Sequence, residues 1–360
     1  MKLILILQIL NCLIYFKENL IHNSRGMKII VTGGAGFIGS NLILFLHKNY
    51  PEFEILNIDK LTYASDLNYL NPVKDSNRYT FKRLDITDRA GIKDIIQKYG
   101  PDGVIHLAAE SHVDNSIKGP EPFIYSNVVG TFNLLEECRL YWAEAIKKPI
   151  LANRFLHIST DEVYGSLGKK GLFKETTPYA PNSPYSASKA GSDFLVRSYF
   201  HTYGMNTVMT NCSNNYGPHQ HDEKLIPTVI RKALAGEPIP IYGKGDNVRD
   251  WLYVEDHCKA LATVFMDGKA GEQYNIGGDN EWQNIEIVNL ICEILNEEKG
   301  NGPKGDYKNL ISFVTDRPGH DFRYAVDASK IKKELNWSPS KEFNEMLRDT
   351  VKWFIAKYDA

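Results

Sequence analysis

Residues 28 to 39, Lys28-Ile29-Ile30-Val31-Thr32 running into Gly33-Gly34-Ala35-Gly36-Phe37-Ile38-Gly39, restrict the chain to a narrow set of folds. An unbroken apolar and β-branched run bounded by glycines predicts a strand buried on both faces, as in parallel sheets. Parallel strands need crossover helices, and the residues through Lys48 predict an amphipathic one. Gly33, Gly36 and Gly39 allow a tight turn, close approach of the backbone to a pyrophosphate and close helix-strand packing, while the helix N-terminus offers aligned N–H groups to phosphate. A second strand, Ile55-Leu56-Asn57-Ile58, ends in Asp59, twenty residues past Gly39. At that distance a carboxylate accepts hydrogen bonds from an adenosine ribose diol and repels a 2′-phosphate, so the cofactor expected is NAD rather than NADP. Phe37 and Ile38, and Lys60, Leu61 and Thr62 after the acid, are expected to join the glycines and Asp59 at the cofactor.

Three further strand patterns belong to the same sheet. Tyr79 to Leu84 ends in Asp85-Ile86, placed to meet the adenine; Gly103 to Leu107 ends in Ala108-Ala109-Glu110-Ser111; Arg154 to Ser159 ends in Thr160-Asp161-Glu162-Val163-Tyr164-Gly165. Ligands of open parallel sheets bind outside such carboxyl ends, which makes Asp85, Ile86, Leu107, Ala108, Ala109 and Ser111 cofactor candidates. His106 reads as a packed strand residue. His112 and Asp114 fit a hydrogen-bonded turn as well as they fit a functional role. Downstream, Tyr185 and Lys189 in Tyr185-Ser186-Ala187-Ser188-Lys189 stand four residues apart. On a helix they share a face, and the ammonium is expected to hold the phenol pKa down and make Tyr185 a proton carrier near neutral pH.

Composition excludes several function classes. The 42 basic residues nearly balance 44 acidic ones, with no basic stripe, so no nucleic-acid partner is expected. Five scattered cysteines, none closely paired, predict reduced thiols of an intracellular, cytoplasmic protein and no metal site. Leu3 to Phe16 form an apolar run too short to span a membrane and followed by no small-residue cleavage site. Residues 1 to 26 are therefore expected to be an extension outside the fold, a membrane or targeting role being the alternative.

Gly33 to Gly39, Asp59, Ala108-Ala109 and Tyr185 with Lys189 together resemble the extended short-chain dehydrogenase/reductase superfamily of NAD-dependent epimerases and dehydratases, across the chain from Met27. Within it, Thr160 to Gly165, Asn211 to Pro218, Asn247 to Trp251 and Asp316 to Asp321 are similar to the dTDP-glucose 4,6-dehydratases. The epimerases lack the Asp161-Glu162 pair and GDP-mannose dehydratases keep only the glutamate, which makes the pair the specific signal. UDP-glucose 4,6-dehydratases share it, so the alternative of a UDP-sugar dehydratase or an epimerase stays open, and a non-catalytic NAD sensor is the third reading.

The resemblance implies an α/β Rossmann fold: a doubly wound parallel sheet over residues 27 to 212, with a return segment near 250 to 268, and a smaller α/β domain from 213 to 360 for the sugar nucleotide. It implies a homodimer, built on the helices from Ser111's loop through Tyr141 and on the helix carrying Tyr185. It adds Ser126 and Asn215 to the cofactor set. For substrate it implies Ser111, Thr160, Asn214, Lys224, Leu225, Pro240, Ile241, Tyr242, Arg249, Asn284, Asp316, Arg317, Pro318, Gly319 and His320, with Arg249 bidentate on phosphate. It also implies a reaction, in which Tyr185 takes the proton of the hexose 4-hydroxyl during oxidation at C4 and Thr160 hydrogen-bonds the 4-oxygen. Glu162 then removes the C5 proton as Asp161 protonates the departing 6-hydroxyl, and hydride returns to C6. Two physical demands follow. Asp161 must be protonated while Glu162 is ionised. The backbone must also leave extended geometry at Asp161, because a regular strand would point it away from Thr160 and Glu162.

Overall fold

The computed structural model describes residues 26–145, 152–316, 319–340 and 342–359, with the side chains of 144 and 145 excepted. Most of the extension, part of the 141–153 segment, Arg317 and Pro318 lie outside them. A seven-stranded parallel sheet is formed by β1 (Met27–Thr32), β2 (Phe53–Asp59), β3 (Tyr79–Arg83), β4 (Gly103–His106), β5 (Arg154–Thr160), β6 (Thr207–Cys212) and β10 (Gln273–Ile276). Their spatial order is β10-β6-β5-β4-β1-β2-β3, with parallel register throughout. The order reverses between β1 and β4, and the crevice at such a switch point is where open sheets take ligands.

Two helical layers cover the sheet. On one face Ile29 and Val31 of β1 pack with Leu42, Ile43 and Leu46 of α1 (Phe37–Asn49) and with Leu261, Val264 and Phe265 of α6 (Val254–Asp267). On the other, Ile30 and Val104 meet Ile92 and Ile96 of α2 (Arg89–Tyr99), Leu134 and Leu135 of α3 (Gly130–Leu140) and Val196 of α4 (Pro184–Tyr203). A buried arginine ties the layers together: the Arg154 guanidinium donates to the Val264 and Phe265 carbonyls at 3.3 and 2.8 Å. Both carbonyls lie in the last turn of α6, an end that favours a cation, and the Val264 carbonyl also accepts from the Gly268 N–H that caps the helix.

A second core joins Ile226 and Ile230 of α5 (Leu225–Leu234), Ile287 and Ile291 of α7 (Asn284–Lys299) and Leu347 and Phe354 of α8 (Phe343–Asp359). Two small sheets accompany it. One orders β11 (Glu281–Gln283), β9 (Val248–Tyr253) and β7 (Asn214–Tyr216); the other pairs β12 (Ile311–Val314) with β8 (Ile239–Tyr242). The chain passes between the two cores more often than a single division near residue 212 with one return would give. α6 packs on α1, β10 completes the large sheet, and Ile331 and Trp337 sit in the first core. The four-residue run Gln273–Ile276, between helices, carries no sequence signal naming its neighbour, and only its pairing with β6 assigns it.

Candidate active site

The cleft opens at the carboxyl ends of β1 to β6 and encloses about 310 Å³. At its floor Gly33 has φ 72°, a left-handed conformation, and a Cβ there would lie 2.7 Å from the Ala108 nitrogen. A Cβ on Gly39 would fall 2.1 Å from the Gly33 oxygen. Both therefore need hydrogen as a side chain. α1 starts after Gly36 with no side-chain cap, so its first N–H groups face the cleft available to a phosphate. The Asp59 carboxylate accepts from Ala35 N (3.0 Å), Leu61 N (2.8 Å) and Ser65 Oγ (3.1 Å), which pins it at the end of β2 with acceptor capacity remaining. Lys60 Nζ reaches Ser126 Oγ at 3.1 Å and the Glu110 carboxylate at 3.1 Å. These features fit a dinucleotide with a free ribose diol.

β5 ends at Thr160, and Asp161–Tyr164 form a 3₁₀ turn capped by the Thr160 hydroxyl, which accepts from Glu162 N at 3.2 Å. The chain thus leaves extended geometry at Asp161, and Thr160, Asp161 and Glu162 all line the same cleft. Asp161 is 2% exposed. Burial, then the neighbouring Glu162 and Asp250 charges, push its carboxyl well above the usual carboxylate range. Its Oδ2 has no hydrogen-bond partner, while Thr160 Oγ1 donates to Oδ1 at 3.3 Å. A buried carboxyl in this state is a neutral acid with a proton to give.

α4 begins with a capping box in which Ser183 and Ser186 satisfy each other's backbone N–H groups, and Pro184 fixes the first turn. This start places Tyr185 at the cleft and Lys189 one turn deeper. The electrostatics differ from the sequence expectation. Burial, then the Glu162 charge, drives the Tyr185 phenol well above its ordinary value, and the group opposing that shift is the Thr160 hydroxyl, through a hydrogen bond. Lys189 instead donates to the Ile158 carbonyl at 2.8 Å, and burial lowers its pKa to about 8. In the protein by itself the phenol is therefore held as the neutral acid, because desolvation of the anion outweighs a cation that is itself buried and turned to the backbone.

The cleft gathers Gly33, Gly36, Phe37, Ile38, Gly39, Asp59, Lys60, Thr62, Asp85, Ile86, Leu107, Ala108, Ala109, Ser111, Ser126, Asn214, Asn215 and Lys224 with the five catalytic candidates. Leu61 does not line it and turns back with φ 60° to hold Asp59. Within the cleft Lys224 Nζ donates to the Ser111 carbonyl at 3.3 Å. Other substrate candidates lie beyond the cleft wall, where the Tyr242 hydroxyl donates to Asp114 at 3.4 Å. His320 Nδ1 meets Asp316 Oδ1 at 2.6 Å and its ring lies edge-on to Tyr242. Pro240 and Ile241 are strand residues of β8, Leu225 and Asn284 open α5 and α7, and Gly319 follows the undescribed Arg317 and Pro318. Arg249, for which a bidentate phosphate contact is expected, also holds two segments of the chain together. Its guanidinium donates to the carbonyls of Val248 (2.7 Å), Asp321 (3.0 Å) and Phe322 (3.4 Å) and lies over the Tyr324 ring, tying β9 to 321–324.

The cleft also contains Gln220, His221 and Glu223, which sequence reasoning missed. Glu223 lies 3.5 Å from His112 Nε2 and 3.7 Å from His221 Nδ1. No spacing rule marks a loop that reaches the cleft only through tertiary packing. Ser159, Cys212 and Ser213 line it as well, and could have been named from the strand-end rule that found their neighbours.

Comparison with known proteins adds a family and a set of relatives. A model of the GDP-mannose 4,6 dehydratase family matches residues 30–350. A dTDP-glucose 4,6-dehydratase from Salmonella typhimurium is 55% identical over 340 residues, covering 92% of this chain and 93% of the relative. The crystal structure of a Bacillus anthracis dTDP-glucose 4,6-dehydratase in complex with NAD superposes with a TM-score of 0.82 at 42% identity, covering 93% of this chain and 98% of that one. One from Streptomyces venezuelae, with NAD and dTDP bound, gives 0.84 at 42% identity over 92% and 98%.

Proposed function

The chain belongs to the nucleotide-sugar 4,6-dehydratase family of the extended short-chain dehydrogenases, and from that premise we propose that it converts dTDP-glucose to dTDP-4-keto-6-deoxyglucose and water, using NAD that is regenerated in each turnover. The observation that carries the reading is Asp161: a carboxyl kept neutral by burial, on a 3₁₀ turn that places it beside Glu162 and Tyr185 at the rim of a dinucleotide cleft. Elimination across C5–C6 needs an acid and a base at once, and a carboxyl held protonated beside the Glu162 carboxylate supplies both.

When bound, NAD accepts hydride from C4 of the hexose and returns it to C6. To receive the 4-hydroxyl proton Tyr185 must act as the phenolate, so its own proton has to pass to solvent when the site is loaded, where the cationic nicotinamide would favour the anion; the Thr160 hydroxyl hydrogen-bonds the phenol and then the developing ketone oxygen. Lys189 stabilises the phenolate and orients the ribose. Glu162 removes the C5 proton made acidic by the ketone, and Asp161 donates to the leaving 6-hydroxyl, so that one water departs; when hydride adds to C6, Glu162, having exchanged with solvent, returns a proton to C5. Gly33, Gly36 and Gly39 hold the pyrophosphate, Asp59 the adenosine ribose, and Asn214 and Lys224 the substrate side.

The finer reading extends to assembly and setting. A homodimer is supported by exposed apolar residues on neighbouring helices, among them Ile124, Tyr125, Phe194 and Tyr203. The product class suits deoxysugar supply of the dTDP-rhamnose type, and buried free thiols suit the cytoplasm. The test is to incubate purified protein with dTDP-glucose, without added cofactor, and to weigh the product. Loss of one water from dTDP-glucose is expected, with UDP-glucose left mostly unreacted; preferential reaction of UDP-glucose would overturn the nucleobase assignment.

A further inference from the structure

α4 carries Tyr185, Lys189 and Asp193 at four-residue intervals, on three successive turns of one face. The first two belong to the site described above. Asp193 does not touch the cleft, is 1% exposed, and is surrounded by donors. Its Oδ2 accepts from Ser159 Oγ at 2.8 Å, Tyr179 OH at 2.9 Å and Asn211 Nδ2 at 3.3 Å, and its Oδ1 faces His157 Nε2 at 3.1 Å. The same Asn211 amide donates to the Thr160 carbonyl at 3.0 Å. One carboxylate therefore touches β5 and β6 at the level where the reacting hydroxyls and phenol are delivered.

Surface carboxylates need no such cage, and a buried one persists as an anion only with donors and a counter-charge. The counter-charge here is Lys189, one helical turn before Asp193 and linked to it through His157, whose Nε2 lies 3.1 Å from Asp193 Oδ1 and 3.5 Å from Lys189 Nζ. Around that ammonium, His157 of β5 and His106 of β4 are held neutral by burial, Tyr185 is held as the phenol, and the Cys212 thiol of β6 is pushed up to about 12. Of the groups acting on Lys189, Asp193 is the one that supplies negative charge at working pH. Burial lifts its own pKa to about 6, against the pull of Lys189 and the hydrogen bonds, so it is ionised at neutral pH. His157 Nε2 faces the Asp193 carboxylate at 3.1 Å, the Ser192 hydroxyl at 3.2 Å and the Lys189 ammonium at 3.5 Å, so the neutral ring sits between the two charges.

We propose that Asp193 is a positioning residue that keeps Lys189 in its ammonium form and fixes the β5–β6 rim from which Thr160 and Tyr185 act. The inference deepens the proposed function and rests on it for its kinetic readout alone; the charge state of Lys189 is measurable without substrate.

Asp193→Asn removes the charge at nearly constant shape. With Lys189 followed by ¹³Cε NMR in the NAD-loaded enzyme, the variant is expected to titrate about one pH unit lower than the wild type. The alkaline limb of kcat should move with it, lowering the ratio of rates at pH 8 to pH 6 about fivefold, and Asp193→Glu should restore the limb. A purely structural role would lower kcat equally at both pH values, and a Lys189 titration unchanged in Asp193→Asn would overturn the proposal. The wild type gives a second test that needs no folded variant: its Lys189 signal should show a separate inflection as Asp193 protonates near pH 6, and the lack of that inflection would refute the pairing. A wild type inactive on every nucleotide sugar would sink the functional reading and leave both NMR tests standing.

Discussion

Replacing Glu162 by Gln separates the first half of the reaction from the second. The substitution is nearly isosteric, and the hydrogen bond that shapes the turn runs from the Glu162 backbone N–H to Thr160 Oγ1, so the local fold does not depend on the side chain. Asp161 also keeps its proton, because the largest cause of its raised pKa is burial and the Glu162 charge comes second. Oxidation at C4 needs Tyr185, Thr160 and Lys189, all intact; removal of the C5 proton needs the missing carboxylate. A positioned general base contributes about 10²–10⁴-fold, or roughly 3–5 kcal/mol of barrier. Turnover should fall by that factor. Mixing Glu162→Gln with dTDP-glucose should then build up to about one equivalent of reduced nicotinamide per site, read by its near-ultraviolet absorbance. Full-rate turnover with no such absorbance would refute the base assignment and the account of why the turn exists.

Asp161→Asn should leave oxidation intact and slow elimination by about 10²–10³-fold, measured as product formation under single-turnover conditions. The same variant should be more stable than the wild type. A carboxyl whose pKa is raised on folding holds its proton more tightly in the folded state, so the wild type loses stability as pH rises from the ordinary aspartate range toward the folded value, while the amide does not. The gain in Tm should therefore grow in thermal melts as pH rises above the ordinary aspartate range. Gly33→Ala forces a Cβ into the Ala108 backbone at a positive φ, costing about 1–2 kcal/mol; weaker NAD binding by calorimetry and a lower Tm are expected together.

Much of this site was legible in the sequence because its residues follow local rules. A glycine turn between strand and helix, an acid at the end of the second strand and a phenol four residues from a lysine each encode their geometry within a few positions. The departure from extended backbone at Asp161 was also derivable, since period-two alternation would otherwise have pointed the acid away. What stayed hidden depends on the whole fold. β10 is an unremarkable tetrapeptide until β6 lies beside it. Arg249 advertised a phosphate contact by its chemistry, but nothing in its local pattern announced that its guanidinium also donates to the carbonyls of Val248, Asp321 and Phe322. The sign of the Tyr185 shift was misjudged because spacing reveals a nearby cation and says nothing about how deeply both groups are buried or where the ammonium points. Asp193 lay in plain view on the helix that carries Tyr185, but its value comes from donors on two strands and a loop.

The central claim is that one site oxidises C4, eliminates water across C5–C6 and reduces C6 without releasing an intermediate. The measurement that tests it most directly is incubation with dTDP-glucose deuterated at C4, followed by NMR of the product. The account predicts a 4-keto-6-deoxy sugar carrying that deuterium at C6, with a proton from solvent at C5. Deuterium lost to solvent, or a product that has shed no water, would contradict it.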